Sequence, residues 1–172
     1  MVRGPIGREK GVFYEQERNR LPDPYISSKN HFPEPTVCPT CKLVYAKQHW
    51  HKNDGEATLL LNDKKTHKTK CPACRKIEDN YPMGVVNISG DFVSEHFEEL
   101  VNLVKAEERR ALEKNPLERL MKVDKVDGGI HVETTSESLA LRIGRMLSKS
   151  YKGNTDFKFR YGDKYVIVDW AR

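Results

Sequence analysis

The alternation of apolar and polar positions is most regular in the second half of the chain. Between residues 93 and 111, apolar side chains recur at helical spacing, with Asp91 placed to cap the helix and Asn115-Pro116 placed to end it. From Leu117 the period changes to two, and Asp127-Gly128-Gly129 separates two alternating segments. The pattern therefore predicts a long helix followed by a β-hairpin.

A second helix and a second hairpin follow the first pair. Thr134 with Glu137 has the spacing of a capping box, and the apolar stripe between residues 139 and 147 ends before Gly153. Residues 157–170 alternate again, with Phe157, Phe159 and Tyr161 on one face of the first strand, which we interpret as core residues. The order αββαββ predicts an α+β domain over residues 85–172, with two layers and a largely antiparallel four-stranded sheet.

The first 35 residues contain few aliphatic side chains and no sustained period. Pro22-Asp23-Pro24 and Phe32-Pro33-Glu34-Pro35 exclude a helix through these positions, so we expect an extended, poorly ordered arm over residues 1–35. Basic and aromatic side chains alternate along the arm, a mixture suited to phosphates and stacked bases. A solvated tail is the alternative.

All four cysteines of the chain lie in two C-x-x-C pairs between these regions. The pairs are Cys38-Pro39-Thr40-Cys41 and Cys71-Pro72-Ala73-Cys74. Four thiolates at this spacing are typical of a closed, structural zinc site, and iron is the main competitor for the same ligands. A thioredoxin-like redox pair needs one C-x-x-C at the end of a strand in a βαβ unit, which neither pair shows. Two disulfides are disfavoured because they are typical of secreted proteins, and we expect an intracellular chain.

Residues 36–84 are therefore predicted to form a zinc ribbon. Residues 43–45 suit an outgoing strand and Ala57 to Leu61 a returning strand, with Asn53-Asp54-Gly55 as the turn between them. The positions expected to be exposed are basic and aromatic, including Lys64, Lys65 and His67.

Charge and composition limit the classes of function. The chain has 172 residues and a net charge of +5, and residues 37–80 contain nine basic and five acidic side chains. No apolar run approaches the ~20 residues of a membrane span, and no targeting segment is visible, so we expect a cytoplasmic protein. The basic excess on the ribbon weakly favours a polyanionic partner.

Two surfaces are candidates for binding nucleic acid. The residues of the first surface, on the ribbon, are Lys47, Trp50, Lys52 and Lys68. Trp50 either stacks on a base or covers a small core. Those of the second surface, on the second helix, are Arg142, Arg145, Lys149 and Lys152, spaced so that they line one face and can follow a phosphate backbone. A solvated basic face is the alternative for each.

No arrangement of residues in the sequence indicates catalysis. The chain has no phosphate-binding loop, nucleophile elbow or dinucleotide fingerprint, and no cysteine remains free once a metal is bound. We therefore expect a non-enzymatic monomer without a small-molecule substrate.

Several short motifs together resemble a known group of proteins. They are residues 34–39, the second cysteine pair, Tyr81-Pro82-Met83-Gly84, Asn115-Pro116-Leu117 and residues 134–153. They resemble an uncharacterised prokaryotic family of four-cysteine zinc proteins, itself similar to the archaeal and eukaryotic large-subunit adaptor named after nonsense-mediated decay. The resemblance implies association with ribosomal RNA or the large ribosomal subunit, in assembly, quality control or dormancy, with the four cysteines as Zn²⁺ ligands. The alternative is a zinc-ribbon adaptor between proteins that does not bind RNA.

Overall fold

The computed structural model describes residues 22–26, 31–160 and 163–172. Most of the predicted arm, and Tyr161 of the second hairpin, lie outside the described residues. Within the described part of the chain, no helix has the length and apolar character needed to cross a bilayer.

The cysteine-containing region is built around a small mixed sheet. Its elements are β1 (Thr36–Val37), β2 (Leu43–Ala46), β3 (His49–Lys52), α1 (Asp54–Asn62), β4 (His67–Lys68) and α2 (Pro72–Glu78). The strand order is β3-β2-β1-β4, where β1 and β4 are parallel and the other neighbours antiparallel. The predicted strand at residues 43–45 is confirmed.

The strand predicted at residues 57–61 is wrong, because this segment is part of α1. Asn53 caps the helix: its Oδ1 accepts from the Glu56 backbone N–H at 3.2 Å, and its Nδ2 donates to the Glu56 carboxylate at 2.9 Å. Asn53-Asp54-Gly55 therefore begins a helix instead of turning a hairpin. The first backbone N–H groups of a helix have no acceptor inside the helix, and the Asn53 side chain supplies one for the Glu56 N–H.

The rest of the chain forms a five-stranded sheet with two helices. Its elements are β5 (Gly84–Ser89), α3 (Asp91–Lys114), β6 (Leu120–Val126), β7 (Gly129–Thr134), α4 (Glu137–Tyr151), β8 (Asn154–Phe159) and β9 (Val166–Ala171). The strand order is β6-β7-β5-β9-β8, and β5 and β9 are parallel. The two predicted helices and the two predicted hairpins are confirmed.

The prediction of a four-stranded, largely antiparallel sheet omitted the central strand. β5 pairs with both β7 and β9, and its Val86 and Ile88 are buried in the core. Val86, Asn87 and Ile88 alternate between the core and the polar face, but the adjacent buried Val85 interrupts the pattern, so the alternating run is too short to predict a strand. Gly84, the last residue of the predicted ribbon, is the first residue of this strand.

Two predicted helix caps are displaced by one or two residues. The N-cap of α3 is Gly90, at φ 107°, where a Cβ would lie 2.1 Å from the Arg172 carbonyl oxygen, so Asp91 is the first helical residue. The N-cap of α4 is Ser136, whose side chain accepts from the Leu139 N–H at 3.2 Å. The Thr134 hydroxyl instead donates to the Ser136 carbonyl at 2.7 Å.

One core lies between the five-stranded sheet and its two helices. Its largest fully buried side chain is Trp170, whose indole N–H donates to the Lys152 carbonyl at 2.8 Å. Phe157 and Phe159 also pack here, which confirms their interpretation as core residues. The opposite face of the sheet is polar, with Asn87 hydrogen-bonded to His131 at 2.9 Å and to Asp169 at 2.7 Å.

Candidate metal centre and basic surfaces

The two cysteine pairs meet in one cluster. Cys38 and Cys41 lie in the loop between β1 and β2, and Cys71 and Cys74 lie at the start of α2. The four sulfur atoms all lie within 4.8 Å of one another, and the Cys41 and Cys71 sulfurs are 3.5 Å apart. Zn–S bonds of about 2.3 Å require S···S separations of about 3.8 Å in a tetrahedron. The cluster can therefore bind a metal ion.

The backbone around each pair holds the sulfurs in place. The Cys38 N–H donates to the Leu43 carbonyl at 2.8 Å, and the Lys42 N–H donates to the Cys38 carbonyl at 2.9 Å, with Lys42 at φ 62°. The Cys71 N–H donates to the Cys38 sulfur at 3.3 Å and so joins the two loops. Pro72 starts α2 without losing a helical hydrogen bond, because the first backbone N–H groups of a helix have no internal acceptor.

Close packing of the sulfurs changes their acidity. Hydrogen bonds from Cys41, Cys71 and Cys74 lower the pKa of Cys38, and hydrogen bonding to Cys38 raises the pKa of Cys71. The first thiol to ionise is therefore stabilised by the S–H groups of the others. A bound metal would take the place of these protons and hold all four groups as thiolates.

Arg119 is a residue of the metal centre that the sequence did not reveal. It lies just before β6, and its guanidinium is 3.6 Å from the Cys74 sulfur. Burial opposes its charge, but a hydrogen bond to Cys41 and the negative charge of that cysteine outweigh this effect, so the pKa of Arg119 is raised. No local pattern marks this arginine, because its partner lies 45 positions earlier in the chain. A cation here offsets part of the −2 charge of four thiolates and a divalent metal.

An aromatic cluster covers the metal centre. Trp50 is 7% exposed and packs 5.3 Å from the Tyr45 ring and 5.7 Å from the Phe32 ring. The indole therefore has no open face for a base, and the structure favours the core interpretation of Trp50 over base stacking.

The other ribbon candidates are exposed, but their surroundings differ. Lys52 lies 3.6 Å from the Asp54 carboxylate, whereas Lys47 occupies the turn between β2 and β3. Lys68 lies on the edge strand β4, close in sequence to exposed Lys64 and Lys65. Among the described residues, no carboxylate lies within ion-pair distance of Lys64, Lys65 or Lys68, although the charge of Lys68 contributes to lowering the pKa of Asp63.

The basic row on α4 is only partly available to a partner. Arg142 is half-buried and lies 3.6 Å from Glu107, a carboxylate on α3 that is 8% exposed and also pairs with Arg110. Arg145 is exposed but already interacts within the chain. Lys149 and Lys152 remain at the end of α4, where cations also interact favourably with the helix dipole.

A buried lysine lies at the junction of three segments. Lys76 on α2 is 3% exposed, and its ammonium group pairs with Asp23 and donates to the Thr135 carbonyl at 2.9 Å. Tyr25 packs beside it, and its hydroxyl donates to Asp79 at 2.7 Å. Residues 22–26 of the predicted arm are therefore held against α2.

The fold and the cluster define a four-cysteine module that could bind a metal ion, joined to an α+β sheet layer. Comparisons with protein-family models, with curated proteins and with solved structures find no match.

Proposed function

We propose that this protein binds one structural Zn²⁺ through Cys38, Cys41, Cys71 and Cys74 and associates, without catalysis, with RNA of the large ribosomal subunit. The lysine cluster at the edge of the ribbon, which has no carboxylate within ion-pair distance in the described part of the chain, carries the RNA proposal. The metal proposal rests on the four converging sulfurs. The ribosomal partner comes from the resemblance of the motifs described above.

Zinc suits this site because the shell contains only sulfur and closes around the ion. Cys38, Cys71 and Cys74 are buried and Cys41 is half-buried, and four protein sulfurs would fill a tetrahedral shell without a position for water or substrate. The metal would join two loops that approach from separate parts of the chain. Arg119 would reduce the electrostatic cost of placing the anionic centre next to the α+β domain.

The lysine cluster of the ribbon consists of Lys64, Lys65 and Lys68, around the exposed His67. Three cations within five positions repel one another, and each would release a counterion from the RNA if it contacted a phosphate. Lysine on an edge strand also prevents unwanted strand pairing, and the RNA proposal has to be tested against that simpler role. The α4 row is a weaker candidate because Glu107 already neutralises Arg142.

The competing function, a protein adaptor, has one observation in its favour. Leu59 on α1 is 74% exposed, whereas its neighbours Leu60 and Leu61 pack against the ribbon core. One exposed leucine is common on protein surfaces, so this observation carries less than the lysine cluster.

The test compares RNA binding by metal-loaded wild-type protein and two matched triple variants. One variant carries Lys64→Gln, Lys65→Gln and Lys68→Gln, and the control carries Arg145→Gln, Lys149→Gln and Lys152→Gln. Deproteinised large-subunit RNA is titrated at several salt concentrations, and cosedimentation with large subunits is followed at low and high salt.

We expect the ribbon variant to bind more weakly and to reduce the magnitude of the salt slope by about 2, or about 0.7 per lost single-strand phosphate contact. The control should keep most of the binding strength and most of the salt slope. Wild-type protein that binds neither RNA nor subunits at low salt would refute the RNA function, and binding that Leu59→Ser alone abolishes, with no salt dependence, would favour the adaptor. Loss in the α4 control only would place the interface on α4.

A further inference from the structure

A cleft lies between the docked segment 22–26, the Tyr81-Pro82-Met83 segment and the β8–β9 hairpin. Its volume is about 250 Å³. Ligand sites for drug-sized molecules span about 300–1,000 Å³, so this cleft has room for one flat group but not for a large cofactor.

One wall of the cleft is apolar and held in place. Pro22 and Pro24 line it, and the Asp23 carboxylate between them pairs with buried Lys76 and accepts from the Tyr25 N–H at 2.9 Å. Asp23, which lies between the two prolines, therefore holds both of them in place. A ligand would not have to order this wall.

Tyr81 gives this wall an aromatic surface that is open to solvent. Tyr81 is 45% exposed, and its ring contacts the Tyr25 ring in a tilted arrangement with the ring centroids 5.4 Å apart. A large aromatic residue that is fixed on one side and exposed at a cleft is a platform on which another flat group can stack.

The part of the cleft contributed by the β8–β9 hairpin is cationic. Arg160 lies over the Tyr165 ring at 4.4 Å and is 3.9 Å from the Asp163 carboxylate. Lys164 is exposed, and among the described residues it has no carboxylate within ion-pair distance. Two cations and one carboxylate leave this side with a net positive charge.

We propose that this cleft binds one unpaired nucleotide of the RNA partner, with the base against Tyr81 and the phosphate near Lys164 and Arg160. A free phosphate would not need the aromatic wall, and a proline-rich peptide would not need the cations. The proposal rests on the proposed RNA function and adds that the bound RNA is single-stranded at this point. The lysine cluster of the ribbon would contact the backbone elsewhere.

The test measures binding of full-length, metal-loaded protein to a short single-stranded oligoadenylate and to an RNA duplex of the same length. Tyr81→Leu should weaken single-strand binding roughly tenfold or more, the usual effect of losing one stacked base, with no change in salt slope or in duplex binding. Tyr81→Phe keeps the ring and should bind as the wild type does. Lys164→Gln should weaken binding and reduce the magnitude of the salt slope by about 0.7.

Tyr151→Leu, at the end of α4, is the control for losing a tyrosine outside the cleft. Equal single-strand binding by the Leu and Phe variants at position 81 would overturn the proposal while leaving the RNA function intact. If wild-type protein binds neither RNA, adenosine 5′-monophosphate is titrated and followed by NMR. Shifts at Tyr81 and Lys164 would then support nucleotide binding in the cleft without the RNA function. The absence of these shifts, or the displacement of the nucleotide by a proline-rich peptide, would overturn the proposal.

Discussion

The buried pair of Lys76 and Asp23 makes the strongest stability prediction. The Lys76 side chain is 3% exposed and that of Asp23 is 13% exposed, so neither charge has much contact with water. Burial lowers the pKa of Lys76, and Asp23 opposes this effect. Removing only the negative charge would leave a cation in a site that cannot solvate it.

Asp23→Asn keeps the size of the side chain and the acceptor for the Tyr25 N–H, but it removes the charge. We expect a loss of about 3–5 kcal/mol in the free energy of unfolding, the usual cost of breaking a buried pair. A protein of this size has about 5–15 kcal/mol in total, so the loss is a large fraction of its stability. Asp79→Asn is the matched control, because it removes the charge of an exposed carboxylate that accepts from the Tyr25 hydroxyl, and it should cost about 1 kcal/mol or less.

The assay is urea denaturation of the metal-loaded chain, comparing midpoints at equal slope. Combining Asp23→Asn with Lys76→Met should recover most of the loss, because a neutral pair replaces the ionic pair. In Asp23→Asn the folded state releases the Lys76 proton at lower pH than the unfolded state, whose lysine pKa is 10.5, so stability should rise as pH approaches that value. Equal losses for Asp23→Asn and Asp79→Asn would refute the reasoning.

Three further predictions follow from other parts of the structure. Purified protein should contain about one zinc per chain, and Cys71→Ser should unfold the ribbon first, since structural zinc contributes about 10–16 kcal/mol in small domains; a metal assay that finds iron or no metal would contradict this. The hydrogen bond to Asp79 raises the pKa of Tyr25 to about 12. The stability from this bond is therefore present below pH 10 and lost as pH rises through 12. Ultraviolet titration of Asp79→Asn should show one tyrosine ionising nearer pH 10 than in the wild type. Gly84→Ala should destabilise the chain by about 1–3 kcal/mol in thermal melts, because its Cβ would lie 2.5 Å from the Ala140 Cβ; a variant as stable as wild type would show that α4 shifts freely.

Local patterns in the sequence were sufficient wherever one segment determines its own structure. The two C-x-x-C pairs predicted a cluster of four sulfurs, and apolar periodicity predicted α3, α4 and both hairpins. The same reasoning failed for α1, where a run of apolar residues looked like a strand although the Asn53 cap already indicated a helix. It also missed β5, because the alternation of Val86, Asn87 and Ile88 is too short to mark a strand and follows directly on the predicted domain boundary.

The sequence by itself determined the four sulfurs of the candidate metal site, because all four cysteines occur in two C-x-x-C pairs, and most of the secondary structure, because apolar periodicity is local. Only the tertiary structure decided that Arg119 lies beside Cys74, that Asp23 neutralises Lys76 and that Trp50 is buried under Phe32. Each of these contacts joins segments separated by 18 to 53 positions, and the energy that selects them comes from desolvation and charge pairing in the assembled fold. Spacing along the chain contains no record of such contacts.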